Sequence, residues 1–207
     1  SIKMAKKSSN EAFDFIKETV NNKKFQWAVT IILFLVILIS STQIRLSNLP
    51  NLIDSTTGLY TSNDLDSLYF YRVAETKLLN NGTLPAIDVL RSPGKNIDWT
   101  SELLPDMLIW NYKILNFFNS DVTFNYAATI SAPIFYAIGL ILFFILCLLL
   151  TKSKIASLIA CGFLAYAPGF LFRSIAGFYD HDHVGVFALF ALIISVFYAI
   201  KKFEKSY

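Results

Sequence analysis

Apolar residues fall along this chain in long charge-free runs, separated by short basic or acidic interruptions. A helix needs about 20 apolar residues to cross the hydrocarbon core of a bilayer. Residues 25–44, 122–151, 155–172 and 183–200 approach or exceed that length. The first run is too long for a cleavable leader, and no small-residue cleavage site follows it. The pattern predicts an all-α polytopic membrane protein with spans over 25–44, 124–151, 155–172 and 183–200. A basic segment over 1–24 precedes the spans, and an external loop occupies 45–121. The third run contains Pro168-Gly169. A helix stopping before that proline would be too short to cross, so the pattern predicts a kink or an unwound outer end there. Neighbouring helices would absorb the freed backbone groups.

Basic residues in short flanks orient such a chain. Lys6, Lys7, Lys17, Lys23 and Lys24 precede the first run, Lys152 and Lys154 fill the turn between the second and third, and Lys201, Lys202 and Lys205 follow the fourth. These segments are expected on the cytoplasmic side. The region from Arg45 to Asp121, and the connection from Arg173 to Asp182, then face outward. In the loop, a helix is expected to begin near Asp64 with Asn63 as its N-cap, because Leu65, Leu68, Tyr69, Val73 and Thr76 recur at helical spacing. A second helix is expected near Pro105. Its Met107, Leu108, Ile109, Trp110, Ile114, Leu115, Phe117 and Phe118 could rest on the membrane, with Trp99, Trp110, Tyr112 and Tyr126 as interfacial anchors. Ser1 at the start and "KKFEKSY" at the end suggest a piece of a larger protein.

Composition agrees with the pattern. Of 207 residues, 55% are hydrophobic and 16% charged, and 19 are Phe. A net charge of +3, without basic and aromatic residues interleaved, gives no support for nucleic-acid binding. Cys147 and Cys161 sit in apolar runs and suggest neither a disulfide nor a zinc site.

The candidate chemistry lies in two acidic clusters on the same expected side: "NDLDSLYFYR", with Asp64 and Asp66, and "GFYDHDHV", with Asp180 and Asp182. Carboxylates bordering a bilayer are costly unless paired, solvated or bound to a cation. An Asp-x-Asp pair offers hard oxygen donors to one divalent ion, Mg²⁺ or Mn²⁺, and a third carboxylate from the other loop would complete the set. Such an ion suits a phosphate-bearing leaving group, whose developing charge it neutralises. Arg72 and Arg173 could hold phosphate oxygens or balance the acids. His183, three residues after Asp180, could face the same ion, whereas His181 is expected to point elsewhere. Asp64, Glu75, Asp88, Asp98 and Glu102 read as plain loop charges, although Asp64 stays a further candidate ligand. Asn81-Gly82-Thr83 is a glycosylation sequon on the outward loop.

"FRSIAGFYDHD" resembles the Ser-Arg-Ser/Thr-x-Ala-Gly-x-Tyr-Asp-x-Asp/Glu segment of oligosaccharyltransferase catalytic subunits. "DLDSLYFYR" looks like that family's earlier Asp-Pro-Trp/Tyr-Tyr-x-Tyr-Arg segment, and alignment on Tyr69, Tyr71 and Arg72 makes Asp66 the counterpart of its aspartate. "DVLRSPGKNIDWTSELLP" is similar in character to the stretch that follows it there. The resemblance implies the N-terminal module of a GT-C-type membrane glycosyltransferase, with four transmembrane helices and a long external loop containing short helices. It implies transfer of an oligosaccharide from a polyprenyl or dolichyl (di)phosphate carrier to Asn in Asn-x-Ser/Thr of an acceptor protein or peptide. It further implies Mn²⁺ or Mg²⁺ held by Asp66, Asp180 and Asp182, with Arg173 supporting the carboxylates or a phosphate. Asp at position 182 is more like archaeal or bacterial members, implying a prokaryotic, archaeal-type cell membrane with the site facing outside. The family's Trp-Trp-Asp-x-Gly motif and later spans are not in these residues, so the chain alone is expected to be catalytically incomplete. Two readings stay open: another lipid-linked sugar transferase, such as a protein O-mannosyltransferase, and a cation transporter or non-enzymatic membrane subunit.

Overall fold

A computed structural model describes residues 21–88, 90, 95–96 and 103–204, with the side chains of residues 95, 96 and 183 outside the description. Lys6, Lys7, Lys17, Asp98, Trp99, Glu102 and Lys205 therefore lie outside the described residues. The first span is α1 (Lys23–Leu46), which runs on through a short 3-10 turn, Leu49–Leu52. The outer segment holds α2 (Leu65–Leu79), a minimal antiparallel pair of β1 (Ile87–Asp88) with β2 (Lys95–Asn96), and α3 (Leu103–Phe118). Then come α4 (Phe124–Thr129), α5 (Ser131–Thr151), α6 (Lys154–Tyr166), α7 (Pro168–Phe172) and α8 (His181–Glu204).

Among the described residues, three helices are long and apolar enough to cross a membrane: α1 with its continuation to Leu52, α5, and α8 from Val184. The expected third span is divided. The 13 residues of α6 reach about 20 Å at 1.5 Å per residue, short of the roughly 30 Å hydrocarbon core. Ala167 turns extended (ψ 120°), and Pro168 opens the five-residue α7. The expected second span is broken as well, because α4 ends at Thr129 and α5 restarts at Ser131. Both breaks follow from proline's missing N–H. Pro133 cannot donate to the Thr129 carbonyl, and Pro168 cannot donate to that of Leu164.

Helix α5 is the centre of the bundle and packs against α8, α6 and α1. Phe34, Tyr136, Leu140, Phe144, Cys161 and Ala165 form one core where α1, α5 and α6 meet. Phe34 stacks on Phe144 at 4.5 Å. At the end where α5 meets α6, Lys152 takes a left-handed backbone (φ 54°) and Ser153 caps α6 by accepting from the Ala156 N–H at 3.3 Å. Lys154 lies there over the Trp27 ring, 4.7 Å from its centroid, so two of the lysine-bearing segments share one end of the bundle. A second core, Ala74, Leu104, Leu108, Ile109, Ala128 and Tyr179, joins α2, α3 and α4 at the other end. Leu108 and Ile109, expected on the membrane, are buried here, while Leu103, Trp110, Ile114, Phe117 and Phe118 are exposed. Tyr112 and Tyr126, expected as anchors, pack edge-on against Phe124 and Tyr60.

Gly177 sits in the turn between α7 and α8, beside Leu52. Its φ is +83°, and a Cβ placed there would lie 2.7 Å from Leu52 Cδ1. A left-handed backbone costs a non-glycine residue about 1–2 kcal/mol, and the clash adds to that. Gly177→Ala should therefore lose about 2–3 kcal/mol of stability, read as a lowered thermal transition of the detergent-purified protein. An unchanged transition would show that the turn relaxes freely.

Candidate functional site

Residues 173–182 leave α7, turn at Gly177 and enter α8. This segment has little regular structure, and its backbone groups are taken up by three other parts of the chain. The Ala176 N–H donates to the Arg45 carbonyl at 2.8 Å, and the Asn48 side-chain amide donates to the Ala176 carbonyl at 2.9 Å. The Gly177 N–H donates at 2.8 Å to Thr129, the carbonyl that Pro133 leaves free. The Gly177 carbonyl accepts from the Ser62 hydroxyl at 2.6 Å and from the Asn63 N–H at 3.2 Å. Tyr179 is buried in the outer core and donates its hydroxyl to the Leu104 carbonyl. Burial raises the phenol's pKa well above its ordinary value.

Beneath the turn lies Arg45, which was expected to open the external loop but is the basic residue of α1's last turn and fully buried. Its Nη1 donates to the carbonyls of Ser41 and Ala165, each at 3.0 Å, and its Nε donates to the Ser174 hydroxyl at 2.8 Å. The guanidinium carbon stands 3.4 Å from the centroid of the Tyr136 ring. Among the described residues it has no salt-bridge partner.

On this support, four charged or titratable groups close a ring. Asp180 is buried; its Oδ1 accepts from the His181 N–H at 2.6 Å and contacts the imidazole Nδ1. The His181 Nε2 lies 3.7 Å from Asp182 Oδ1. Arg173 Nη1 reaches Asp182 at 3.3 Å and Asp180 at 3.8 Å, and its guanidinium also lies over Phe178 at 5.1 Å. Ligand atoms of Asp180, His181 and Asp182 lie within 4.8 Å of one another. His181 was expected to point away and instead bridges the two aspartates, because helix α8 starts at His181 and turns its first residues back on Asp180. The positive end of α8 offsets part of the cost of gathering two carboxylates. The side chain of His183 lies outside the described residues.

The other acidic loop comes to the same place through Ser62 and Asn63. The N-cap of α2 is Asp64, not Asn63: its carboxylate accepts from the N–H groups of Asp66 (3.1 Å) and Ser67 (3.3 Å). The cap places Asp66 exposed in the first turn. Asp66 is not a member of the Asp180–His181–Asp182 group. A cavity between the loops is lined by Tyr60, Ser62, Ser67, Tyr71, Asn125 and Tyr179, among others.

Arg72 is committed elsewhere. It grips Asp88 with both Nη groups, one contact at 2.7 Å, and Asp88 is buried rather than a plain loop charge. The Asp88 hydrogen bonds raise the Arg72 pKa further. Tyr71 donates to Glu75 at 2.8 Å, and burial first, then Glu75, pushes its pKa up. The supports that sequence reasoning missed are Arg45, Asn48, Ser62 and Thr129. The spacing Ser41, Arg45, Asn48 puts polar groups on one face at the end of an apolar helix, which was the available signal.

Residues 30–206 match the family model described as "Oligosaccharyl transferase STT3, N-terminal". No curated protein matches the chain.

Removing Arg72 takes away the two-pronged guanidinium grip on the buried Asp88 carboxylate. Breaking a fully buried pair by removing one partner costs about 3–5 kcal/mol; since Arg72 is 33% exposed, Arg72→Ala should cost about 1–3 kcal/mol. Arg72→Lys keeps the charge but not the fork, so it should recover only part of that loss in thermal unfolding.

Proposed function

The chain belongs to the oligosaccharyl transferase STT3 family, and we propose that it forms the N-terminal part, with the active site facing outward, of a membrane enzyme that moves an oligosaccharide from a polyprenyl (di)phosphate carrier to Asn of Asn-x-Ser/Thr. Membership makes it a membrane glycosyltransferase of a metal-dependent family. The observation that carries the finer reading is the ring of Arg173, Asp180, His181 and Asp182 at the start of α8, hydrogen-bonded through Gly177 to the loop that leads into Asp66.

The donor set fits a hard divalent cation. Asp180 and Asp182 offer carboxylate oxygens close together, the chemistry that Mn²⁺ and Mg²⁺ select. Asp180 and Asp182 would hold the ion, with Asp66 from the other loop as the third ligand and Asp64 and His183 as further candidates. Bound there, it would neutralise charge developing on a phosphate leaving group. Arg173 is half exposed and makes long contacts to both acids; its guanidinium can turn to hold phosphate oxygens instead. Asp66, exposed at the start of α2, accepts hydrogen bonds from the acceptor amide. In the transfer, the sugar C1–O bond to phosphate breaks, a C1–N bond forms, and the amide gives up one proton to a carboxylate.

The basic segments face the cytoplasm in this reading, and the four passes are α1, α4–α5, α6–α7 and α8. A cation-transport reading needs acids in mid-membrane. Asp180 and Asp182 instead precede the apolar stretch from Val184.

In the full-length protein, assayed with a polyprenyl-linked oligosaccharide, a sequon peptide and Mn²⁺, Asp180→Ala and Asp182→Ala should each lower kcat/KM by about 100-fold or more, and EDTA should abolish transfer. Undiminished transfer in both Asp66→Ala and Asp180→Ala would overturn the roles assigned to these carboxylates. Transfer to Ser or Thr would favour an O-mannosyltransferase-like enzyme.

A further inference from the structure

The connection that carries Asp180 and Asp182 hangs on backbone carbonyls released by two broken helices. Pro133 frees the Thr129 carbonyl, which accepts from Gly177. At the second break, a continuous helix would satisfy the Ala165 carbonyl from the N–H of Gly169. The chain turns at Ala167, so that bond does not form, and Arg45 Nη1 supplies the hydrogen bond at 3.0 Å. From the same guanidinium, Nε holds the Ser174 hydroxyl, which itself donates to the Phe170 carbonyl and so closes α7. The Arg45 carbonyl holds Ala176. One residue of α1 thus grips the chain at positions 165, 174 and 176, just ahead of the acids.

We infer that Arg45 is a positioning residue for the acidic site: its planar fork sets the path of residues 165–176 and thereby the placement of Asp180 and Asp182. The requirement is geometric rather than only electrostatic. Two donors of one rigid plane address a carbonyl and a hydroxyl on different sides of the helix break, while the face of that plane lies on the Tyr136 ring. A lysine ammonium carries the same charge but neither the fork nor the flat face. The inference rests on the reading of Asp180 and Asp182 as cation ligands.

Its test is Mn²⁺ binding by the full-length protein in detergent, read as free Mn²⁺ by electron paramagnetic resonance, together with hydrogen exchange at the Ala176 and Gly177 amides. Wild type should bind Mn²⁺, and Asp182→Asn should lose that binding. Arg45→Lys should weaken it by about tenfold or more and Ser174→Ala by less, in the range seen for groups that orient metal ligands. In both variants exchange at the two amides should quicken while α5 and α8 stay protected. Wild-type affinity in Arg45→Lys would overturn the inference. If wild type binds no Mn²⁺, the cation reading itself fails. The exchange measurement then decides: quickened amides uphold positioning by Arg45, and unchanged amides overturn it. Ser174→Ala covers the case in which Arg45→Lys does not fold.

Discussion

A guanidinium enclosed at the outer end of the first span, without a carboxylate to answer it among the described residues, is the constraint around which this structure is arranged. Burying an unpaired charge costs several kcal/mol. Against that, Arg45 makes three hydrogen bonds, of a kind that contributes about 1.5–3 kcal/mol each. It also makes a cation–π contact with Tyr136, which is worth about 2 kcal/mol when desolvated. These contacts offset the burial cost, while Nη2 has no hydrogen-bond partner among the described residues. What Arg45 contributes is specificity. Ser41, Ala165, Ser174 and Tyr136 come from separate segments, and the charge is tolerated only when all are in place. Its position in the last turn of α1 also suits the negative end of that helix.

Membrane helices are normally continuous because every backbone group must be satisfied without water. Among the described residues the chain departs from the rule at Pro133 and at Pro168, and both departures lie toward the end where the acids collect. A freed carbonyl is costly in isolation and useful when a neighbour supplies the donor. Thr129 meets Gly177, and Ala165 meets Arg45. The breaks therefore act as attachment points that let a short irregular connection run over the top of the bundle. Gly177 completes the arrangement, since its left-handed backbone favours glycine and a Cβ there would push on the Leu52 side chain.

The parts of this fold that depend on composition along one segment could be read before any coordinates. Charge-free length marked α1, α5 and α8, and the run "YDHDH" marked the acidic site. Helical spacing marked α2, but its cap was assigned one residue early. Asn63 and Asp64 are both good N-caps by residue type; the Asn63 N–H is engaged by Gly177, 114 positions away in the chain, and it is the Asp64 carboxylate that turns onto the N–H groups of Asp66 and Ser67. Arg45 was misplaced for a related reason. Hydropathy treats an arginine after an apolar run as the start of the aqueous loop, and only tertiary partners from α5, α6 and Ser174 make it an interior residue. Asp88 looked like a loop charge because its partner Arg72 lies on a different element. In each case the missing information was a contact between segments distant in sequence.

The two arginines of the site divide the work. Arg45 is closed off from solvent and holds the Ser41 and Ala165 carbonyls and the Ser174 hydroxyl. Arg173 is 51% exposed, and its contacts to Asp180 and Asp182, at 3.8 and 3.3 Å, are loose. The pair with Asp182 is of the exposed kind that contributes at most about 1 kcal/mol, and the contact to buried Asp180 is long at 3.8 Å, so Arg173 can turn away when a cation approaches the carboxylates or a phosphate approaches the cation. A site that must accept a divalent ion needs carboxylates that are gathered yet not already neutralised by a strong partner. Exchanging the two roles would defeat the arrangement: a tightly paired arginine at the acids would compete with the ion, and an exposed one beneath the turn would let the carboxylates separate.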